Sequence, residues 1–104
     1  MKIDTIIVED EVNARKALEN MLAFYCSDVH LVGHASSVDE GVKLLNKLSP
    51  DLLLLDIQLP DGTGFDLLKK VRQKNFKLVL TTAHDQYALK ALKLSALDYL
   101  LKPV

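Results

Sequence analysis

A doubly wound α/β domain built on a five-stranded parallel sheet is the fold class that the sequence predicts. Two observations carry this expectation. Five short β-rich runs alternate with four stretches of helical periodicity, and such alternation builds βαβ units whose right-handed crossovers put helices on the faces of a parallel sheet. The run LLLL at 52–55 is apolar without alternation, as a strand covered on both faces should be.

The elements follow in order. The first strand is read over residues 3–8, IDTIIV, and the helix after it places Ala14, Leu18, Met21, Leu22 and Tyr25 on one face. VHLVGHA, 29–35, is the second strand. Ser37 with Glu40 three residues on makes a capping box ahead of Val42, Leu45 and Leu48, and Pro50 stops that helix. DLLLL, 51–55, is the third strand. Pro60-Asp61-Gly62-Thr63-Gly64 is a turn that reverses the chain into a third helix marked by Phe65, Leu68 and Val71. It is not a dinucleotide fingerprint, because Leu67 stands in the place of the third glycine. KLVLT, 77–81, is the fourth strand; Ala88, Ala91 and Leu92 mark a fourth helix; DYLL, 98–101, is the fifth strand.

Residues 1–104 fit one domain, and a chain this long can bury roughly 65% of its unfolded surface. With 49% hydrophobic residues, 26% charged and a net charge of −1, the composition excludes a disordered tail and gives nucleic acid no electrostatic hold. Cys26 is the one cysteine, so no internal disulfide forms; it reads as core filler. No apolar run approaches the roughly 20 residues of a membrane span, and the N-terminus MKIDTIIVED turns acidic before a signal-peptide core develops. No membrane association and a cytoplasmic location are expected.

Ligands of open α/β sheets bind beyond the carboxyl ends of the strands. Here those ends carry Glu9-Asp10-Glu11, then Asp56, then Thr81-Thr82, then Lys102-Pro103. If the first and third strands are neighbours, Glu9, Asp10 and Asp56 crowd together, and at about 5 Å with an effective dielectric near 20 each like-charge pair costs roughly 3 kcal/mol. A hard cation offsets that repulsion. All-oxygen ligands point to Mg²⁺ or Mn²⁺ rather than zinc, and Lys102 offers a second positive charge. A carboxylate nucleophile beside a metal, a hydroxyl from Thr82 and an ammonium are the parts of phosphoryl transfer, with an aspartyl phosphate as product.

These residues resemble the receiver domain of bacterial two-component response regulators over the whole chain: VEDE after the first strand, LLLLDIQLPDGTGF after the pattern D-x-x-x-P-x-x-x-G, LTTAH after the fourth strand and DYLLKPV at the fifth. The resemblance implies a flavodoxin-like (CheY-like) fold of strand order 2-1-3-4-5. It implies Asp56 as phosphoacceptor, and Mg²⁺ held by Glu9, Asp10, Asp56 and the backbone carbonyl of Gln58. It further implies Thr82 and Lys102 on the phosphoryl group, Tyr99 as an aromatic switch, and a sensor histidine kinase as donor. TTAHDQYALKALKLSALDYLLKPV is similar to receivers of the LytTR (LytR/AlgR-like) subfamily, usually fused to a DNA-binding domain. No such effector domain is in this chain, so DNA would be bound only by a longer parent protein. Ser95 stands where the family often has Gly, and Val104 precedes the family's fifth helix. That helix would bury several apolar side chains worth roughly 1.5–3 kcal/mol each. The chain is therefore expected to be truncated and marginal as a monomer, or to be covered by a second copy in a homodimer.

Each residue has a plainer reading too. Glu9 and Asp10 could cap the first helix, Thr82 be strand-end polarity, Lys102 a surface charge and Tyr99 a fixed core aromatic. His30 and His34 read as surface or structural residues, whereas His84 could rim the pocket. Two other functions compete: a haloacid-dehalogenase-like phosphohydrolase, which needs an Asp where Gln58 stands, and a pseudo-receiver that never sees phosphate, which would predict a lost acidic, Thr or Lys position.

Overall fold

The apolar runs become five parallel strands, and the first and third runs are buried along most of their length. The computed structural model describes residues 2–25, 28–71, 76–82 and 98–101, with Tyr25, Thr82 and 98–101 described by backbone alone. In chain order the elements are β1 (Ile3–Val8), α1 (Val12–Tyr25), β2 (Val29–Ala35), α2 (Val38–Lys47), β3 (Leu52–Asp56), β4 (Gln58–Leu59), β5 (Gly62–Thr63), α3 (Gly64–Lys70), β6 (Lys77–Thr82) and β7 (Asp98–Leu101). The main sheet has the order β2-β1-β3-β6-β7, all parallel. This is the expected 2-1-3-4-5 order once the small β4–β5 ribbon is set aside. The fourth helix, with Ser95 and His84, falls outside the described residues.

Successive strand residues point to opposite faces, and the core divides accordingly. Ile6, Val8, Leu53, Leu55, Leu78 and Leu80 pack with Val38 and Leu45 of α2 and with Phe65, Leu67 and Leu68 of α3. Ile7 and Leu54 pack on the other face with Leu18 and Leu22 of α1. Helices thus lie on both faces of the sheet.

Two strands differ from the sequence reading in their limits. β3 begins and ends one residue later than expected, because Asp51 closes the sheet's entry instead: its carboxylate accepts the Asp4 N–H (3.0 Å) and its own N–H donates to the Asp4 carbonyl (2.7 Å). At the far end Asp56 is drawn into the ladder opposite Thr81. β6 runs one residue further than expected, since Thr82 pairs with Leu101 of β7. His30 and His34 are exposed, as expected, with Nδ1 atoms 3.2 Å from Asp4 Oδ1 and 3.3 Å from the Arg15 guanidinium. Among the described residues, no helix is long and apolar enough to cross a membrane.

Candidate functional site

β1 and β3 are adjacent and in register, Val8 opposite Leu55. The residues that follow them therefore emerge side by side. Glu9 extends the β1–β2 pairing through its N–H to the Ala35 carbonyl (2.9 Å), which buries its side chain at 1% exposure. Its Oε2 accepts the Glu11 N–H (3.2 Å) just before α1 begins. Asp10 is exposed. Asp56, the last residue of β3, is 3% exposed, and its Oδ1 accepts the N–H of Gln58 (3.2 Å). Carboxylate oxygens from Glu9, Asp10 and Asp56 all lie within 4.8 Å of one another.

Two of the three carboxylates are therefore buried among like charges, a costly arrangement unless a cation is present. With oxygen donors only, and with one acid open to solvent, the set fits a hard divalent ion that keeps part of its water shell. Asp56 is held from below by its strand and from the side by α3. A Cβ on Gly64 would stand 2.7 Å from the Asp56 carbonyl oxygen, so the first turn of α3 can approach this closely only with glycine there.

Among the other expected site residues, Thr82 ends β6 one position past the partner of Asp56, and Leu101, which precedes Lys102, lies opposite it. Tyr99 is in β7 opposite Leu80. The side chains of Thr82 and Tyr99, and all of Lys102, lie outside the described residues. Thr81 is buried, and its hydroxyl lies 3.5 Å from the Leu55 carbonyl, on the sheet side of the site. Gln58 opens β4, with an exposed side chain.

The loop after Asp56 holds more than the turn read from the sequence. It forms the β4–β5 ribbon, and Gly62 supports it with φ of +155°, a value that side-chain-bearing residues rarely adopt. Thr63 caps α3 reciprocally: its hydroxyl accepts the Asp66 N–H (3.1 Å) and its N–H donates to the Asp66 carboxylate (2.9 Å). The spacing T-x-x-D carried that signal. Asp61 accepts the N–H groups of Val38 (2.7 Å) and Asp39 (3.1 Å) at the start of α2. No local pattern announces that contact across the chain. The expected box at Ser37 forms only in part. Ser37 accepts the Glu40 N–H (3.1 Å) as expected, but the Glu40 carboxylate takes the Ser37 hydroxyl (3.3 Å). Backbone hydrogen bonds from Val38 and Asp39 hold the Asp61 carboxyl below the ordinary carboxylate value, and the Thr63 N–H and hydroxyl do the same for Asp66.

Comparison with known families decides what this arrangement belongs to. The family model described as "Response regulator receiver domain" matches residues 5–104. The chain belongs to the response regulator receiver family. As a receiver, it is 40% identical over 104 residues to the sensory transduction protein LytT of Bacillus anthracis, covering 97% of this chain and 42% of that protein. It is 41% identical over 103 residues to the transcriptional regulatory protein BtsR of Escherichia coli K12, covering 98% and 43% respectively. Likeness to LytT proteins puts the receiver in the LytTR-type subfamily, and it spans less than half the length of these relatives. Among solved structures, the response regulatory domain of mrkE from Klebsiella pneumoniae matches with a TM-score of 0.88 at 31% identity, covering 98% of this chain and 84% of that one. The REC domain of AraT from Geobacillus stearothermophilus matches with a TM-score of 0.88 at 28% identity, covering 100% and 84%.

Proposed function

We propose that this receiver takes a phosphoryl group from a phosphohistidine of a sensor histidine kinase onto Asp56, with a divalent cation at Glu9, Asp10 and Asp56. The observation that carries this reading is the convergence of three carboxylates within 4.8 Å at the carboxyl ends of two adjacent parallel strands. In the transfer, a carboxylate oxygen of Asp56 attacks phosphorus and the P–N bond to the donor imidazole breaks. The electron pair stays on the imidazole nitrogen, which takes up a proton, and an acyl phosphate is left on Asp56. Water later displaces the group as inorganic phosphate and restores the carboxylate. Mg²⁺ or Mn²⁺, when bound, supplies charge neutralisation for the phosphoryl oxygens.

The chain's own residues orient the acceptor. Gln58 holds Asp56 Oδ1 through its N–H, and in this reading its carbonyl is a further metal ligand. Thr82 and Lys102 would meet the phosphoryl oxygens, and Tyr99 would turn inward as they move. The added charge of about −2 draws these groups toward residue 56 and so shifts the β6–β7 edge, which becomes the surface read by the output. We assign that output to a LytTR-type DNA-binding domain in a longer cytoplasmic protein. Homodimerisation through the face carrying α1, where Val12 and Phe24 are exposed, belongs to the same reading. Incubation with acetyl phosphate and Mg²⁺ followed by intact-mass measurement should give one phosphoryl adduct, abolished in Asp56→Asn. Steady release of phosphate from an unrelated monoester would instead indicate a phosphohydrolase, and an unaltered mass a pseudo-receiver.

A further inference from the structure

The loop after Asp56 is anchored at both ends, and the outer anchor is reached from another element. At the base, the Ile57 N–H donates to the Thr81 carbonyl (3.0 Å) and the Gly64 N–H to the Ile57 carbonyl (2.8 Å), while the Ile57 side chain is fully buried. Gln58 comes next, its N–H on Asp56 Oδ1. The Gly64–Ile57 bond makes Gln58 and Thr63 the non-hydrogen-bonded pair of the ribbon, so the Gln58 carbonyl points away from β5. At the tip, exposed Asp61 places both carboxylate oxygens on the first N–H groups of α2. Gln58 lies between these two fixed points.

We propose that Asp61 is a positioning residue for the acidic pocket: by fastening the tip of the 58–63 loop to the start of α2, it fixes where the Gln58 backbone sits against Asp56 and thereby sets the affinity for a divalent cation. The inference rests on the metal reading given above. A purely structural role is separable from it, because Ser37 caps the same helix end from within, through its hydrogen bond from the Glu40 N–H. Loss of either residue weakens the start of α2; only loss of Asp61 also removes the hydrogen bonds that tie the loop tip to it.

Mn²⁺ titration by calorimetry, with melting curves, on the wild-type chain, Asp61→Ala, Asp61→Asn and Ser37→Ala tests this. Asp61→Ala should bind Mn²⁺ about tenfold more weakly, at the low end of what supporting residues around a metal contribute. Asp61→Asn keeps an amide oxygen that accepts one of the two N–H bonds and should fall in between, whereas a through-space effect of the lost charge would weaken both variants equally. Ser37→Ala should melt lower yet bind as the wild type does. Wild-type affinity in Asp61→Ala, equal weakening in Asp61→Ala and Asp61→Asn, or equal weakening in Ser37→Ala overturns the proposal while leaving the metal reading intact. A wild-type chain that binds no Mn²⁺ removes both. Should Asp61→Ala not fold, a folded Asp61→Asn with wild-type affinity is the overturning result.

Discussion

Asp10 is the one exposed member of the acidic cluster, and that makes it the informative residue to change. The carboxylate oxygens of the cluster lie within 4.8 Å of one another, and two charges about 5 Å apart repel by about 3 kcal/mol at an effective dielectric near 20, and by less when one of them faces solvent. Without metal, Asp10→Asn should therefore raise the melting temperature. With Mg²⁺ near saturation the order should reverse, since the wild type gains about 2.7 kcal/mol at a hundredfold excess over Kd and the variant gains less. Scanning calorimetry in chelator and in Mg²⁺ checks both halves, and a variant that melts below the wild type in chelator would count against repulsion in the cluster. Asp61 and Asp66 carry a pH prediction of their own. Both have carboxyl groups held below the ordinary value of 3.8 by backbone N–H donors. The unfolded chain then binds protons more readily than the folded one. Their stabilisation is complete above the unfolded value and is lost as pH falls through the lower folded values. Urea unfolding of wild type and Asp61→Asn should show a stability gap at neutral pH that closes in acid below about pH 4.

At the scale of elements, the short approach of α3 to β3 positions the acceptor. Ala at position 64 would set a methyl group 2.7 Å from the Asp56 carbonyl and 3.0 Å from the Leu55 side chain, and backbone cannot move aside cheaply. Gly64→Ala should cost roughly 1–3 kcal/mol, as overpacking does, and should slow phosphoryl uptake by displacing Asp56; denaturant unfolding and intact-mass time courses read the two effects. The sequence already showed much of this layer, because LLLL, the alternation of strand and helix, and the glycines beside Asp61 are local signals. The cap at Thr63 has a local signal too, its spacing to Asp66, although the expectation from sequence is only a turn. Asp61 has no such signal: its partners, Val38 and Asp39, lie more than twenty residues earlier, and only the packed sheet brings them near. The shift of β3 to end at Asp56 likewise follows from pairing with β6, which no local pattern encodes.

Across the whole molecule, the site lies where the sheet reverses its winding. β1 leads into α1, which packs on one face, while β3 leads through the ribbon into α3 on the other. Ligands of open α/β sheets bind between such diverging connections, beyond the carboxyl ends of the strands, and the acidic residues lie at those ends. Sequence order alone placed Glu9 and Asp56 far apart; adjacency of β1 and β3 makes them neighbours. The most direct test of the central claim is to locate the phosphoryl group by tandem mass spectrometry after incubation with acetyl phosphate, once with Mg²⁺ and once with a chelator in its place. Modification at residue 56 that depends on Mg²⁺ and fails in Glu9→Gln and Asp10→Asn is the expected result; modification at another residue, or equal labelling in the presence of chelator, would contradict it.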